Sequence, residues 1–276
     1  MSFWKRFWNR LRNKLRATFA PVPDIPAKLW LQTLARYPFL AALPLEQQAK
    51  LRALAALFLD RKQFHGAHGL MVTDAMAIDI AAQACLPLLH WGRPKKALGW
   101  YDDFVTIVVH LGEAVARRRS ADASGVVHQY TEVLAGEAME RGPVMLSWQH
   151  VADSGTSAAQ GRNVVLHEFV HKIDMQDGHA NGCPPLPLGL LGTRGPRAAL
   201  AAWQAAWKPA FDDFRAAVID AERSGAERPW LDAYGATAPA EFFAVACEAY
   251  FVNRARFAQE FPSLMPALDG FFNRPA

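Results

Sequence analysis

The chain has few cysteines and no long apolar run. Its three cysteines, Cys85, Cys183 and Cys247, lie far apart in 276 residues and form no C-x-x-C pair. A disulfide framework or a cysteine-based metal knuckle is excluded, and buried thiols in a reducing compartment are the expectation. No segment reaches the roughly 18–20 consecutive apolar residues of a membrane span. The basic N-terminus lacks a continuous apolar stretch and an A-x-A site, so it makes a poor secretory signal. These absences point to a cytoplasmic protein. Acid is also missing locally: residues 1–19 carry Lys5, Arg6, Arg10, Arg12, Lys14 and Arg16 and no Asp or Glu. Without those six, the rest holds 24 basic against 26 acidic residues, so the net charge of +4 belongs to the N-terminal segment. A near-neutral body gives no electrostatic footing for nucleic-acid binding.

Hydrophobic residues make up 51% of the chain, enough for a substantial core. Residues 3–19 interleave cations with Phe3, Phe7, Leu11 and Leu15 at a spacing of four, the pattern of an amphipathic helix. Its two readings are weak attachment to an anionic membrane surface or acidic partner, and a helix whose apolar edge packs on the body. Pro21, Pro23 and Pro26 then mark a linker, so residues 1–26 form an extension and 27–276 a single domain.

Residues 44–62 carry leucines at helical spacing behind Pro44, and a second apolar helix spans Val72 to Leu89, bent or ended by Pro87. Three segments read as strands: 103–111, 126–138 and 143–148, the last two joined by a turn at Arg141-Gly142-Pro143. Together they predict one small mixed or antiparallel sheet within residues 100–150. Helical stretches follow at 163–176, 197–223 and 239–252. Helices, then strands, then helices argue for a mostly helical α+β fold.

Chemistry concentrates in residues 164–174, V-V-L-H-E-F-V-H-K-I-D. Positions i and i+4 share one helix face, so His167 and His171 can point both imidazoles at one metal ion. Glu168 sits about 100° round the helix, able to reach a metal-activated water without being a ligand. A zinc hydrolase needs three protein ligands and one open position, with a carboxylate to take the water's proton. With nine histidines in the chain, H-E-x-x-H arises by chance roughly 0.01 times. Two histidines and a carboxylate in so apolar a helix also need partners, either core hydrogen bonds or a metal.

The third ligand decides the type. In the register H-E-x-x-H-x-x-G-x-x-H, Asp174 stands where glycine must break the helix and Asp177 at the ligand position, a poor fit. The other class draws its ligand from a later helix. Residues 232–251 read D-A-Y-G-A-T-A-P-A-E-F-F-A-V-A-C-E-A-Y-F, with Thr237 and Pro239 as start signals and Glu241 in the first turn. Glu241 is therefore assigned as the third zinc ligand. Glu248, seven residues on along the same face, is either a support for a ligand histidine or a surface acid. Asp174 is either an acceptor that orients a ligand imidazole or a helix-terminal residue facing water. Tyr234, seven residues before Glu241, is the candidate donor to an oxyanion, or a loop or core tyrosine. The loop 178–196, rich in Gly and Pro, is expected to gate or shape the cleft, and the strand around Val144–Trp148 to line it and pair with an extended peptide.

H-E-F-V-H-K-I-D followed by the 232–251 segment resembles the Mlc titration factor A family of bacterial zinc metallopeptidases, from about residue 40 to 270. The family pattern is H-E-x-x-H-K-x-D, then D-x-Y-A-x-x-x-P-A-E-x-F-A-V-x-S-E-x-F-F. The chain departs from it with Gly235 for Ala and Cys247 for Ser. The resemblance implies a zincin-like core similar to that of anthrax lethal factor protease. It implies one Zn2+ per chain on His167, His171 and Glu241, with Glu168 as general base and Tyr234 assisting. It further implies a cytosolic, aminopeptidase-like enzyme acting on short peptides. Enterobacterial members bind a glucose repressor, so the alternative is a regulatory protein that sequesters a transcriptional repressor, with the zinc site secondary.

Overall fold

The computed structural model of the chain describes residues 24–112, 114–121 and 127–273. The basic segment 3–19 lies outside these. The fold is α+β, mostly helical, with one small mixed sheet. Helix α1 (Ala27–Arg36) is followed by α2 (Leu45–Arg61), which starts behind Pro44 and buries Leu51, Leu54, Leu57 and Phe58. Helix α3 (Asp74–Cys85) is capped by the Thr73 hydroxyl, which accepts from the Met76 amide. It gives way to a single 3-10 turn at Leu86–Leu88, where Pro87 sits.

The sheet contains β1 (Gln63–Gly66), β2 (Thr106–His110), β5 (Gly136–Ala138) and β6 (Val144–Ser147), in the order β1-β2-β6-β5. β1 and β2 are parallel, as are β2 and β6, while β5 runs antiparallel to β6. Strands β3 (Ala114–Ala121) and β4 (Val127–Leu134) pair with each other as a separate antiparallel hairpin. The expected strand 126–138 is therefore two: one in the hairpin and one in the sheet, broken at Ala135. Nor is the sheet confined to 100–150, because β1 reaches it from residue 63. The position of β6 corrects the expectation that residues 144–148 pair with a peptide. Both edges of β6 are already taken, by β2 and β5, and the outer strand beside it is β5.

Helix α4 (Trp148–Ser157) leads to α5 (Val164–Asp174), the long α6 (Pro196–Ser224), α7 (Pro239–Val252), α8 (Arg254–Glu260) and α9 (Met265–Phe272). The two helices that carry the motif are wedged into aromatic clusters. On α5, Phe169 packs on Phe58, Tyr101 and Phe104, with ring centroids 5.0–5.9 Å apart. On α7, Phe243 packs on Trp203 and Trp207, and Phe242 on Trp207 and Phe214. Ring contacts of this kind, most of them edge-to-face, fix helix rotation as well as position.

Candidate metal centre

Helix α5 begins at Asn163, whose side-chain oxygen accepts from the Leu166 amide at 2.9 Å. The cap and the aromatic wedge turn His167, Glu168 and His171 towards β5 and α7. Pro239 occupies the first turn of α7, as its fixed φ allows, and Glu241 follows within that turn. Thr237 is not the cap; its hydroxyl closes the preceding turn on the Tyr234 carbonyl at 2.7 Å.

The three sequence-assigned ligand residues meet. Nε2 of His167 and Nε2 of His171 each lie 3.1 Å from the same oxygen of Glu241, and 3.2 Å from one another. Among the described residues this is the one trio of His, Cys, Asp or Glu whose ligand atoms converge in this way. The spacing fits a metal ion. Around an ion bound at about 2.0–2.1 Å, the edge of a tetrahedron measures about 3.3 Å. The protonation pattern fits as well. His167 directs Nδ1 to Glu248 Oε1 at 2.7 Å. Glu248 can thus hold the Nδ1 proton and leave Nε2 to a metal ion, whereas without one a proton on Nε2 serves Glu241 instead.

The charges respond to this crowding. Burial alone would lower the His167 pKa, but its bonds to Glu241 and Glu248 carry it well above the ordinary histidine value. Burial likewise opposes ionisation of Glu241, yet the two histidines hold its carboxyl well below the usual range. Glu168, only 5% exposed, is pushed up by burial against the pull of the two histidines. A carboxylate made more basic in this way is suited to accept a proton.

Glu248 is buried, and its second oxygen accepts from the Asn163 amide in a very short contact. Asn163 passes the connection on, donating its side-chain amide to Gln83 Oε1 at 2.7 Å. Asp174 is fully buried rather than facing water, and it hydrogen-bonds to neither His167 nor His171. It accepts from the Gly182 amide at 2.7 Å, and burial raises its pKa to about 6. Gly182 has φ +79, and a Cβ there would meet the Pro239 carbonyl oxygen at 2.6 Å, so only glycine lets the loop run this close to the start of α7. Within the loop 178–196, Ala180 reaches the cleft wall. Tyr234 is half-exposed on the rim, its ring 6.1 Å from that of His167.

The cleft, about 240 Å³, is lined by Gly136, Glu137 and Ala138 of β5 and by Met175 and Tyr234, together with His167, Glu168, His171 and Glu241. A neighbouring hollow of about 480 Å³ shares His167, Glu168 and Tyr234 and extends to His150, Asp153 and Arg162. Sequence reasoning passes over Gly136, Asn163, Gln83 and Lys172. Lys172 is completely buried and donates to Asp103 Oδ2 at 2.8 Å and to the carbonyls of Met139 and Gly142 at 2.5 and 3.1 Å. Asn163 carries a readable signal, a capping residue ahead of an apolar helix, and Lys172 stands in the H-E-x-x-H-K-x-D pattern without a role read from it; Gly136 and Gln83 carry none.

An H-E-x-x-H helix beside a small sheet, with a glutamate brought in from a later helix, is the build of a metallopeptidase. The chain belongs to the glucose-regulated metallo-peptidase M90 family, whose pattern matches residues 8–273. The match starts well upstream of the quoted motifs. The chain is 34% identical to Mlc titration factor A of Klebsiella pneumoniae (strain 342) over 246 residues, 89% of this chain and 85% of that protein. It is 34% identical to the protein of that name from Edwardsiella ictaluri, covering 86% of this chain and 84% of the other. With that of Escherichia fergusonii, the identity is 32% over 94% and 90%. Among the described residues, no helix is long and apolar enough to cross a membrane.

Proposed function

We propose that the protein is a zinc-dependent peptidase that hydrolyses short peptides, with an aminopeptidase-like preference. The observation that carries this reading is the convergence of His167 Nε2, His171 Nε2 and Glu241 Oε2 within 3.2 Å of one another, with buried Glu168 beside them. Two nitrogens and a carboxylate oxygen at tetrahedral spacing suit zinc. Zinc held there would supply Lewis acidity to a water and to the scissile carbonyl. Glu168 accepts the proton of that water and returns it to the leaving amine. Tyr234, on the rim beside His167, donates to the oxygen on which charge develops. The outer strand β5 offers its backbone to an extended substrate. Glu248 orients His167, and Asp174 secures the loop that passes the start of α7.

The test pairs two variants. Glu241→Ala should lose the metal, whereas Glu168→Gln should hold about one zinc per chain and lose hydrolysis of a short-peptide library. Full activity in Glu168→Gln, or no zinc in the wild type after reconstitution, would sink the reading.

A second reading rests on the relatives' name, Mlc titration factor A. In it, the chain binds a transcriptional repressor through its surface, and the zinc site is secondary. A repressor complex that forms equally well with wild type and with Glu168→Gln would separate binding from chemistry. We place the protein in the cytoplasm, with weak contact to an anionic membrane surface through the basic residues 1–19.

A further inference from the structure

The carboxylate of Glu168 has no hydrogen-bond partner among the described residues, although the side chain is buried. Beyond the attraction of the two histidines, packing bears on where the side chain stands. The backbone of β5 lies against it. A Cβ added to Gly136 would meet Glu168 Oε1 at 2.6 Å, Cγ at 2.7 Å and Cδ at 2.9 Å, closer than real Cβ atoms approach. Three atoms of one side chain, from Cγ outward, are crowded at once, so the Glu168 side chain would have to shift as a unit.

The strand itself is fixed. Gly136 pairs with Leu146 of β6, and the Ser147 amide donates to the Ala135 carbonyl at 2.7 Å. At the far end of the hairpin that β5 and β6 form, buried Lys172 of α5 grips the carbonyls of Met139 and Gly142 in its turn. The helix that carries Glu168 thus holds, one turn on, the hairpin against which Glu168 packs.

We propose that Gly136 is a positioning residue for Glu168: its missing side chain makes the space that sets where the carboxylate stands, and Lys172 keeps that space in register with α5. The proposal rests on reading Glu168 as the general base, but its physical core, the contact, does not. Gly136→Ala should turn the Glu168 side chain out of its place while leaving His167, His171 and Glu241 free to bind zinc.

Two measurements decide it. In the zinc-loaded enzyme, Gly136→Ala should keep about one zinc per chain and lower kcat by roughly 100-fold with KM altered less than about threefold, the signature of a misplaced catalytic group. In metal-free protein, Gly136→Ala should lower Tm by about 3 °C or more beside Glu168, and by much less in a Glu168→Ala background, where the crowding is gone. Equal Tm losses in the two backgrounds would overturn the proposal, as would unchanged kcat in an active enzyme. If the wild type hydrolyses no peptide, the peptidase reading fails, while the stability cycle still tests the contact.

Discussion

Glu248 satisfies two buried donors at once, and Glu248→Gln should expose that double duty. One carboxylate oxygen accepts from His167 Nδ1 at 2.7 Å and the other from the Asn163 amide. Glutamine has one acceptor oxygen. If that oxygen stays with His167, the new NH₂ group confronts the Asn163 amide, and a buried donor at the start of α5 goes unpaired, at a cost of about 1–3 kcal/mol. If it turns to Asn163 instead, the NH₂ group faces Nδ1. The imidazole must then carry its proton on Nε2, the atom that points at Glu241 and a bound metal. Either arrangement weakens metal binding, directly through the tautomer or indirectly by loosening the cap that holds His167. Removing a partner of this kind costs about 10–100-fold in metal affinity, or about 1.4–2.7 kcal/mol. The assay is competition for zinc against a chelator of known affinity, with thermal unfolding of the metal-free protein alongside. Wild-type zinc affinity together with wild-type Tm would refute the reasoning, because it would mean that neither donor depends on the second oxygen.

Two other substitutions follow from buried charges. Lys172→Met leaves two carbonyls of the hairpin turn and Asp103 without their donor. It should destabilise the fold by about 2–4 kcal/mol in urea unfolding, and a change within about 0.5 kcal/mol would contradict the role given to the lysine. Asp174 has a folded-state pKa raised from 3.8 to about 6. Its charged form is thus disfavoured in the folded protein. That penalty is absent below about pH 4 and grows as pH rises towards 6. Asp174→Asn keeps an acceptor for the Gly182 amide and removes the charge. In metal-free protein, the variant should gain on the wild type by up to roughly 3 kcal/mol between about pH 4 and 7; a pH-independent gap would argue against it.

The residues legible in the sequence are those whose meaning is local. His167 and His171 share a helix face by spacing alone, and Glu241 is readable because proline and an apolar run announce a helix start. Both helices also bury apolar residues at helical spacing, which makes their existence secure. What escapes depends on contacts between distant segments. Gln63–Gly66 is four residues long, too short to show alternation, and becomes a strand by pairing with β2. Val144–Ser147 reads as a strand and is one, but its place inside the sheet is set by two partners, and neither is visible from the segment itself. Its availability to a peptide therefore cannot be read locally. Lys172 looks like an ordinary cation in the last turn of a helix, yet it is wholly buried. Gly136 is one of 18 glycines and has no local mark; only the carboxylate that lies against it explains the absence of a side chain.

The same contacts explain why Glu241 can serve a site whose histidines lie 74 and 70 positions earlier. Near the start of α5, Glu248 of α7 binds Asn163 and His167. At the end of α5, Asp174 holds Gly182, which presses on Pro239 at the start of α7. The two helices are therefore antiparallel and tied at both ends. Glu241 and Glu248 stand two turns apart, about 10.5 Å along the axis, and His167 reaches both, one through each ring nitrogen. A slip of α7 by one residue, about 1.5 Å, would break the Glu248 bond and carry the Glu241 oxygen off the two Nε2 atoms together. The buried carboxylates of Glu248 and Asp174 thus act mechanically, converting the packing of two helices into a fixed height for Glu241.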